Sequence, residues 1–209
     1  MQTIIPTIFE SIRIPIPQKA IYTRLGYRKG KTRILEQTGT IIQTYIEEAM
    51  DIITLKGSAL NLKILKAHDN ILELEGNTVF KSASLLKMLG DSKETLLMGA
   101  TAGSDIMDEI KDEMSGKDMT RGIVLDAAAS EIVDAALDWI MSFYNHELSR
   151  KNKRLTKRRF SAGYGDLALD NQQGFFHLLD MDRIGVHIVQ ESILVPEKSV
   201  TAIAGIVNL

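Results

Sequence analysis

The residues with the clearest capacity for chemistry form a short run near the C-terminal end, Arg159-Phe-Ser-Ala-Gly-Tyr-Gly165. Two glycines flank Tyr164, and glycine adopts the left-handed backbone region at little cost and lets a ligand approach the main chain. Arg159 offers a planar fork of N–H donors that matches a carboxylate or a phosphate. The run therefore predicts an irregular loop that binds an anionic group.

The elements that follow this loop must hold it in place. Asp170 and Gln173 have the spacing of a capping box, so we expect a helix that begins there and runs to about Asp182. Two short strands are expected next, at residues 185–188 and 199–207. The predicted order is therefore loop, helix, strand, turn and strand.

This C-terminal segment resembles a known family. The stretches RFSAGYGDL, LLDMDRIGV and ESILVPEKSVTAIAG are similar to the activation domain of vitamin B12-dependent methionine synthase, in the form found as small stand-alone proteins. The resemblance is close over residues 158–205, looser over about 85–139 and weak before that. It implies a single activation-domain-like domain over residues 1–209, and a protein that presents S-adenosylmethionine to cobalamin.

The resemblance also implies roles for residues of the loop. Arg159 is expected to pair with the carboxylate of S-adenosylmethionine. The main chain of three residues further along the loop is expected to meet the adenosine part of the ligand: Ala162, Gly163 and Tyr164.

A long helix predicted over residues 127–148 carries the acidic candidates. In the family, an acid on the equivalent helix holds the ligand's ammonium group. Asp134 is the best positional match, and Glu131 is the second choice. An acid in the first turns of a helix is equally explained by the helix dipole, so both interpretations stay open.

The function implied by the resemblance is reductive methylation of cob(II)alamin in a stalled methionine synthase. Flavodoxin or another reductant would supply the electron, and S-adenosylmethionine the methyl group. The sequence contains no cobalamin motif, so the chain is expected to act in trans on a synthase that lacks its own activation domain, and cobalamin is carried by that partner. No catalytic acid or base is expected, because transfer from an activated sulfonium requires mainly alignment. Whether the chain is an enzyme or an activation subunit stays open.

Two alternative functions remain. The chain could be an accessory module that binds S-adenosylmethionine or a corrinoid for another corrinoid methyltransferase, or an interaction protein that has lost the ligand. The basic run at residues 150–159 is interpreted as a solvated linker, with anion binding or docking of an acidic partner as alternatives.

Composition limits the broad class of protein. The 209 residues carry a net charge of −2 and no cysteine, which disfavours general nucleic-acid binding and excludes disulfides, a thiolate nucleophile and cysteine-ligated metals. No apolar run approaches the ~20 residues that a membrane span requires, and the N-terminus does not resemble a signal peptide. We expect a cytoplasmic protein with neither a nucleic-acid nor a membrane partner.

Apolar spacing predicts an α+β fold, with a mostly antiparallel twisted sheet and flanking helices. The N-terminal segment 4–16 is expected to be an edge strand or extended arm, followed by a short helix from Pro17 to Gly26. The expected sheet strands lie at residues 12–16, 58–75 and 94–101 and at the C-terminus, and helices near 36–54 and 127–148 are expected to cover them. The glycine pair in Gly99-Ala-Thr-Ala-Gly103 is interpreted as a strand-to-helix turn, with an anion-binding nest as the alternative.

Overall fold

The computed structural model describes residues 5–209, and within that range its framework is an antiparallel sheet of seven strands. The strands of this sheet are β1 (Thr7–Phe9), β2 (Lys56–His68), β3 (Ile71–Leu74), β4 (Thr78–Lys81), β5 (Glu94–Thr101), β6 (Lys153–Leu155) and β9 (Ser199–Asn208). They lie in the order β4-β3-β2-β5-β9-β6, and β1 pairs with β2. Two shorter strands, β7 (His187–Ile188) and β8 (Leu194–Val195), form a separate small sheet.

Six α-helices flank the sheet in the described part of the chain. They are α1 (Gln18–Arg24), α2 (Glu36–Ile52), α3 (Ala83–Leu89), α4 (Asp105–Met114), α5 (Met119–Ser149) and α6 (Gln172–Leu178). Short 3-10 helices occupy Leu169–Asn171, Met181–Ile184 and Gln190–Ser192. The predicted α+β fold class is confirmed. None of the helices in residues 5–209 is long and apolar enough to cross a membrane.

The two faces of the sheet bury two separate cores, because successive residues of a strand point to opposite sides. On one face α1, α2, α4 and α5 pack over residues such as Met98 and Ala202. On the other face α3, α6 and the loops around α6 pack over Leu97 and Ile203. The loop that carries Arg159 lies at the edge of the sheet, where Phe160 pairs with Ile203 of β9.

The N-terminal segment differs from the prediction in where its strand lies. The strand is Thr7–Phe9, which pairs with β2, and residues 12–16 are not a strand. Pro15 and Pro17 have no N–H to give to a ladder, and Ile12 makes a single main-chain hydrogen bond to Leu55. Residue 4, with which the predicted arm begins, lies outside the described part of the chain. The short helix after Pro17 is confirmed as α1.

The first glycine of the pair Gly99 and Gly103 lies outside the predicted strand-to-helix turn. It lies within β5, and a Cβ atom built on it would stand 2.5 Å from the sulfur of Met181. The strand-to-helix turn is confined to residues 102–104. Gly99 thus permits close packing of the 3-10 helix on the sheet, and the pair does not form an anion-binding nest.

The longest helix, α5, begins at Met119, well before the predicted start at residue 127. Asp118 is its N-cap and accepts a hydrogen bond from the main-chain N–H of Arg121 at 3.0 Å. Gly122 lies where α4 and α5 cross, and a Cβ there would stand 3.0 Å from Cγ of Met114. A glycine that looks like a helix breaker in the sequence is therefore a close-packing residue.

In the C-terminal segment, the start and end of α6 and the structure of the basic run differ from the predictions. Asp170 lies in a 3-10 helix and does not cap α6, which ends at Leu178 because Asp180 adopts a left-handed conformation with φ 49°. The basic run is more than a linker, since β6 lies within it and pairs with the end of β9. Charged side chains are common on such edge strands, and here they conceal the strand pattern.

Candidate functional site

A cleft of about 650 Å³ opens beside β9, at the part of its edge that β6 does not cover. One wall is the loop of residues 158–164, and a second is the exposed side of α5. The segment from Ser192 to Leu194 and the start of α6 close the remaining side. The cleft therefore lies among elements that are far apart in the sequence.

The loop is irregular, as predicted, and is attached to the sheet at its base. Phe160 and Ile203 exchange two main-chain hydrogen bonds of 2.9 and 2.8 Å. Gly163 has φ 84° and its N–H donates to the carbonyl of Leu167 at 2.8 Å, which closes the turn. Gly165 has φ 55°, a conformation that glycine adopts without strain.

Asp166 ties the end of the loop to the first turn of α3. Its carboxylate accepts hydrogen bonds from the hydroxyl of Ser82, from the N–H of Ala83 at 2.7 Å and from the N–H of Ser84 at 3.2 Å. The hydrogen bond from Ser82 is the largest cause that lowers the pKa of Asp166 to about 2, and the groups of Ser84 and Ala83 add to it. The loop is thus held at both ends.

Arg159 lies in the cleft and is bound to two acids of α5. Its Nη2 is 2.7 Å from Oδ1 of Asp134, and its Nη1 forms a second ion pair with Asp138. Burial lowers the pKa of Arg159, but the hydrogen bonds and charges of the two carboxylates outweigh this and raise the pKa above its ordinary value. The guanidinium is a permanent cation with part of its donor capacity already used.

The structure separates the two acidic candidates on α5. Asp134 lines the cleft, and its side chain is 56% exposed. Glu131 instead accepts a hydrogen bond from Nε of Arg24 at 2.8 Å and lies beside a different cleft formed with α1. Asp138, one turn after Asp134, joins the site although the sequence did not single it out.

The three loop residues expected to meet the ligand occupy different positions. Ala162 is buried and lines the cleft, while Tyr164 is 70% exposed at its rim. Gly163 forms the turn and is not part of the lining. Within residues 5–209, neither the N–H nor the C=O of Ala162 takes part in a hydrogen bond, so both groups are available.

The far side of the cleft was not predicted from the sequence. Gln172, at the start of α6, is 6% exposed, and its Nε2 donates to Oγ1 of Thr201 on β9 at 2.9 Å. Ser192 is also buried and accepts a hydrogen bond from Gln173 at 3.3 Å. This side offers these neutral hydrogen-bonding groups, and the carboxylate of Glu197 also lines the cleft here.

The two ends of the cleft therefore differ chemically. A fixed cation and an exposed carboxylate stand together where the loop meets α5, which suits the ammonium and carboxylate of an amino acid. Mainly neutral polar groups lie towards β9 and α6, together with the carboxylate of Glu197 and the exposed apolar side chains of Leu169 and Ile193. The charged and polar groups of the lining can hold and orient a small molecule.

Comparison with solved structures finds the same fold in a chain described as the MetH reactivation domain bound to AdoHcy. The match covers 98% of this chain and 79% of that chain, with a TM-score of 0.66 and 13% sequence identity. No protein-family model matches the sequence. No curated protein matches it either. At 13% identity the likeness establishes the shared fold alone.

Proposed function

We propose that the chain binds S-adenosylmethionine in the cleft beside β9 and acts in trans on a cobalamin-dependent methionine synthase that lacks its own activation domain. The observation that carries this proposal is the pairing of Arg159 with Asp134 in the cleft. The shared fold with a MetH reactivation domain solved with AdoHcy supports the class of ligand.

The ion pair between Arg159 and Asp134 can be exchanged for the amino-acid end of the ligand. The ligand carboxylate takes the place of Asp134 on the guanidinium, and the ligand ammonium takes the place of the guanidinium on Asp134. Asp138 keeps a second contact to Arg159. Each charge of the protein then has a partner before and after binding, which avoids the cost of a buried unpaired charge.

The rest of the cleft fits the adenosine part of the ligand. Its volume of about 650 Å³ lies within the range of roughly 300–1,000 Å³ that small-molecule sites have. The free main-chain groups of Ala162 are placed to bond the ribose, and Tyr164 at the rim can cover the ligand. Gly163 contributes by shaping the turn that presents Ala162.

The chain's contribution to methyl transfer is position. When bound to the partner protein, cobalamin supplies the nucleophilic cobalt that receives the methyl group. Arg159 and Asp134 fix the amino-acid end, so that the sulfonium is held in one orientation at the mouth of the cleft. The electron comes from outside the chain, from flavodoxin or another reductant. This division of work requires no acid or base in the cleft.

A basic strip beside the cleft supports contact with an acidic partner. We define this basic strip as Arg154, Lys157 and Arg158, which are exposed and form no ion pair within the described part of the chain. Arg158 also lines the cleft. We propose that the partner docks here, because complementary charge speeds association and fixes orientation. Association that did not weaken with added salt would count against this step.

The first test is calorimetry of the full chain with S-adenosylmethionine. We expect saturable binding with one site. No heat at millimolar ligand would remove the proposal and leave the interaction-protein alternative. That alternative has one observation in its favour, since Arg159 already has carboxylate partners without a ligand.

The second test is reactivation of a methionine synthase truncated before its activation domain. We expect that adding this chain, S-adenosylmethionine and a reductant restores turnover. Binding without reactivation would favour the alternative of an accessory module for another corrinoid methyltransferase. The two tests therefore separate the three functions.

A further inference from the structure

We infer that the exposed face of α2 is an interface between two copies of this chain, whose α2 helices pack antiparallel about a two-fold axis. This inference does not depend on the proposed function, because the residues that line the cleft beside β9 all lie outside α2. The face consists of six exposed residues at helical spacing: Gln37, Thr40, Ile41, Thr44, Glu47 and Asp51.

The middle of this face is neutral and unusual for a helix surface in water. The hydroxyls of Thr40 and Thr44 donate to the carbonyls of Glu36 and Thr40, each at 3.1 Å, so they are already bonded within the helix. Ile41, between them, is 48% exposed. Threonine and isoleucine are less favourable in helices than the long polar residues that exposed helix positions usually carry. The middle of α2 is therefore better suited to packing against another surface than to solvent.

The two ends of the face carry opposite charges. Four exposed cations precede α2 and form no ion pair within residues 5–209: Arg28, Lys29, Lys31 and Arg33. At the other end, Glu47 and Asp51 are exposed and likewise form no ion pair in the described chain. The last turn of α2 contains no basic residue, although its first turn has Glu36. Cations before a helix and carboxylates at its end oppose the helix dipole, so both groups need partners from elsewhere.

The start of α4 enlarges the acidic end. The N–H of Thr54, shortly after α2, donates to the carbonyl of Ala102 at 3.1 Å, so α4 begins beside the end of α2. Asp105 and Asp108, in the first turn of α4, are exposed and form no ion pair within residues 5–209. The surface thus has a basic end, a neutral middle and an acidic end.

A second copy in antiparallel orientation matches this order of charges. α2 has 17 residues and a length of about 25 Å, and an antiparallel neighbour places each basic end beside an acidic end. A two-fold axis between Ile41 and Thr44 sets Arg33 of one copy opposite Asp51 of the other. Because the operation is two-fold, each such contact occurs twice. An unrelated acidic partner or a nucleic acid would match the basic end alone, which is why we assign the face to a second copy.

The test is sedimentation equilibrium of the full chain at about 100 μM protein and low salt, where exposed charges are least screened. We expect a dimer with twice the monomer mass of 23.3 kDa. Asp51→Lys sets a lysine opposite Arg33 at both ends and should raise the dissociation constant by about 10-fold. Adding Arg33→Asp to the same chain reverses both charges and should restore the dimer. Asp91→Lys makes the same charge change at an exposed residue outside the interface, and should behave as wild type.

A second variant probes the neutral middle. Ile41→Glu brings two carboxylates together near the two-fold axis and should raise the dissociation constant by about 100-fold, because like charges lose water there. Since Ile41 is half exposed, the variant should fold as wild type, which circular dichroism checks.

Each result decides for or against the interface. A monomeric wild-type chain under these conditions overturns the inference, whatever protein or nucleic acid the basic end then proves to bind. A dimer that persists in Ile41→Glu uses another surface. If the charge-reversed double variant does not regain the dimer, the antiparallel arrangement is wrong. None of these results affects the proposed function, which is tested separately by binding of S-adenosylmethionine.

Discussion

Two arginines form ion-pair clusters at α5, Arg121 within the helix and Arg159 on the loop beside it, yet only Arg159 lies in a cleft. Arg121 binds Glu48 at 2.8 Å, Glu113 at 2.7 Å and also Glu109. Its side chain is 18% exposed, and that of Arg159 is 20% exposed. The hydrogen bonds that Arg121 donates to carboxylates, first to Glu48, raise its pKa, so it too is permanently charged. Burial and charge alone therefore do not distinguish a ligand site from a structural ion pair.

The difference lies in what the carboxylates connect. The partners of Arg121 come from α2 and α4, so this cluster fastens two helices to the start of α5. The partners of Arg159 are both on α5, one turn apart, and Asp134 is more than half exposed towards the cleft. A ligand can replace an exposed acid at little cost, whereas replacing the partners of Arg121 would separate helices.

The largest expected effects come from removing each arginine. In Arg159→Gln we expect affinity for S-adenosylmethionine to fall by about 100-fold, because a charged bidentate contact to the carboxylate is lost. In Arg121→Gln we expect unchanged affinity but a loss of about 2–3 kcal/mol in the free energy of unfolding, since three carboxylates lose their cation. Calorimetry measures the affinity of both variants, and urea unfolding measures their stability.

Each arginine variant is the control for the other. Equal losses of affinity in both variants would mean that binding depends on the overall stability of the fold and not on a contact with Arg159. A large loss of stability in Arg159→Gln with no loss of affinity would reverse the assignment of the two clusters.

The two aspartates of the Arg159 cluster should differ in the same way. Asp134→Asn should weaken binding by about 10-fold, since the ligand ammonium loses its carboxylate. Asp138→Asn should leave affinity within about threefold, because Asp138 contacts the arginine and is not expected to touch the ligand. Titration of the two variants side by side decides this. A greater loss in Asp138→Asn would show that the ammonium sits one turn further along α5.

Much of the fold was predictable because it depends on local pattern. The spacing of Ile46 and Ala49 predicts α2, and both are buried. The turn between β2 and β3 has positive φ at Asp69 and Asn70, residue types that favour this conformation. Ser82 caps α3, as its position before an apolar run indicates.

The site was only half predictable, for physical reasons. The loop at Arg159 is recognisable because glycines and an arginine stand close together in the chain. The opposite wall is formed by tertiary contacts, with Glu191 and Ser192 in left-handed conformations that their residue types do not indicate. The choice between Asp134 and Glu131 also depends on packing, because both lie on the polar edge of α5 and only the position of α1 separates them.

A smaller effect is expected at the attachment of the loop. The pKa of Asp166 is lower in the folded chain, about 2, than its ordinary value of 3.8, so folding favours the ionised form. Asp166 therefore adds stability above about pH 4, and this contribution is lost as the pH falls towards 2. Asp166→Asn should be less stable than wild type at pH 7, with the difference disappearing near pH 2. Urea unfolding across this range measures it, with Asp170→Asn as a control on the same segment. A difference that did not change with pH would mean that ionisation of Asp166 is unimportant.

The smallest expected effect is at Glu131, which lies on the same helix as Asp134 but pairs with Arg24 and not with Arg159. Glu131 pairs with Arg24 on the surface, where an ion pair contributes about 0–1 kcal/mol to stability. Glu131→Gln should therefore change affinity for S-adenosylmethionine by less than about twofold, even though the residue lies less than one turn before Asp134. Each of Glu131→Gln and Asp134→Asn removes one negative charge from α5. Any difference between their affinities, measured by calorimetry, therefore reports the position of the acid on the helix and not the change in net charge. A loss in Glu131→Gln as large as in Asp134→Asn would mean that α1 moves aside on binding and that the two clefts along α5 act as one.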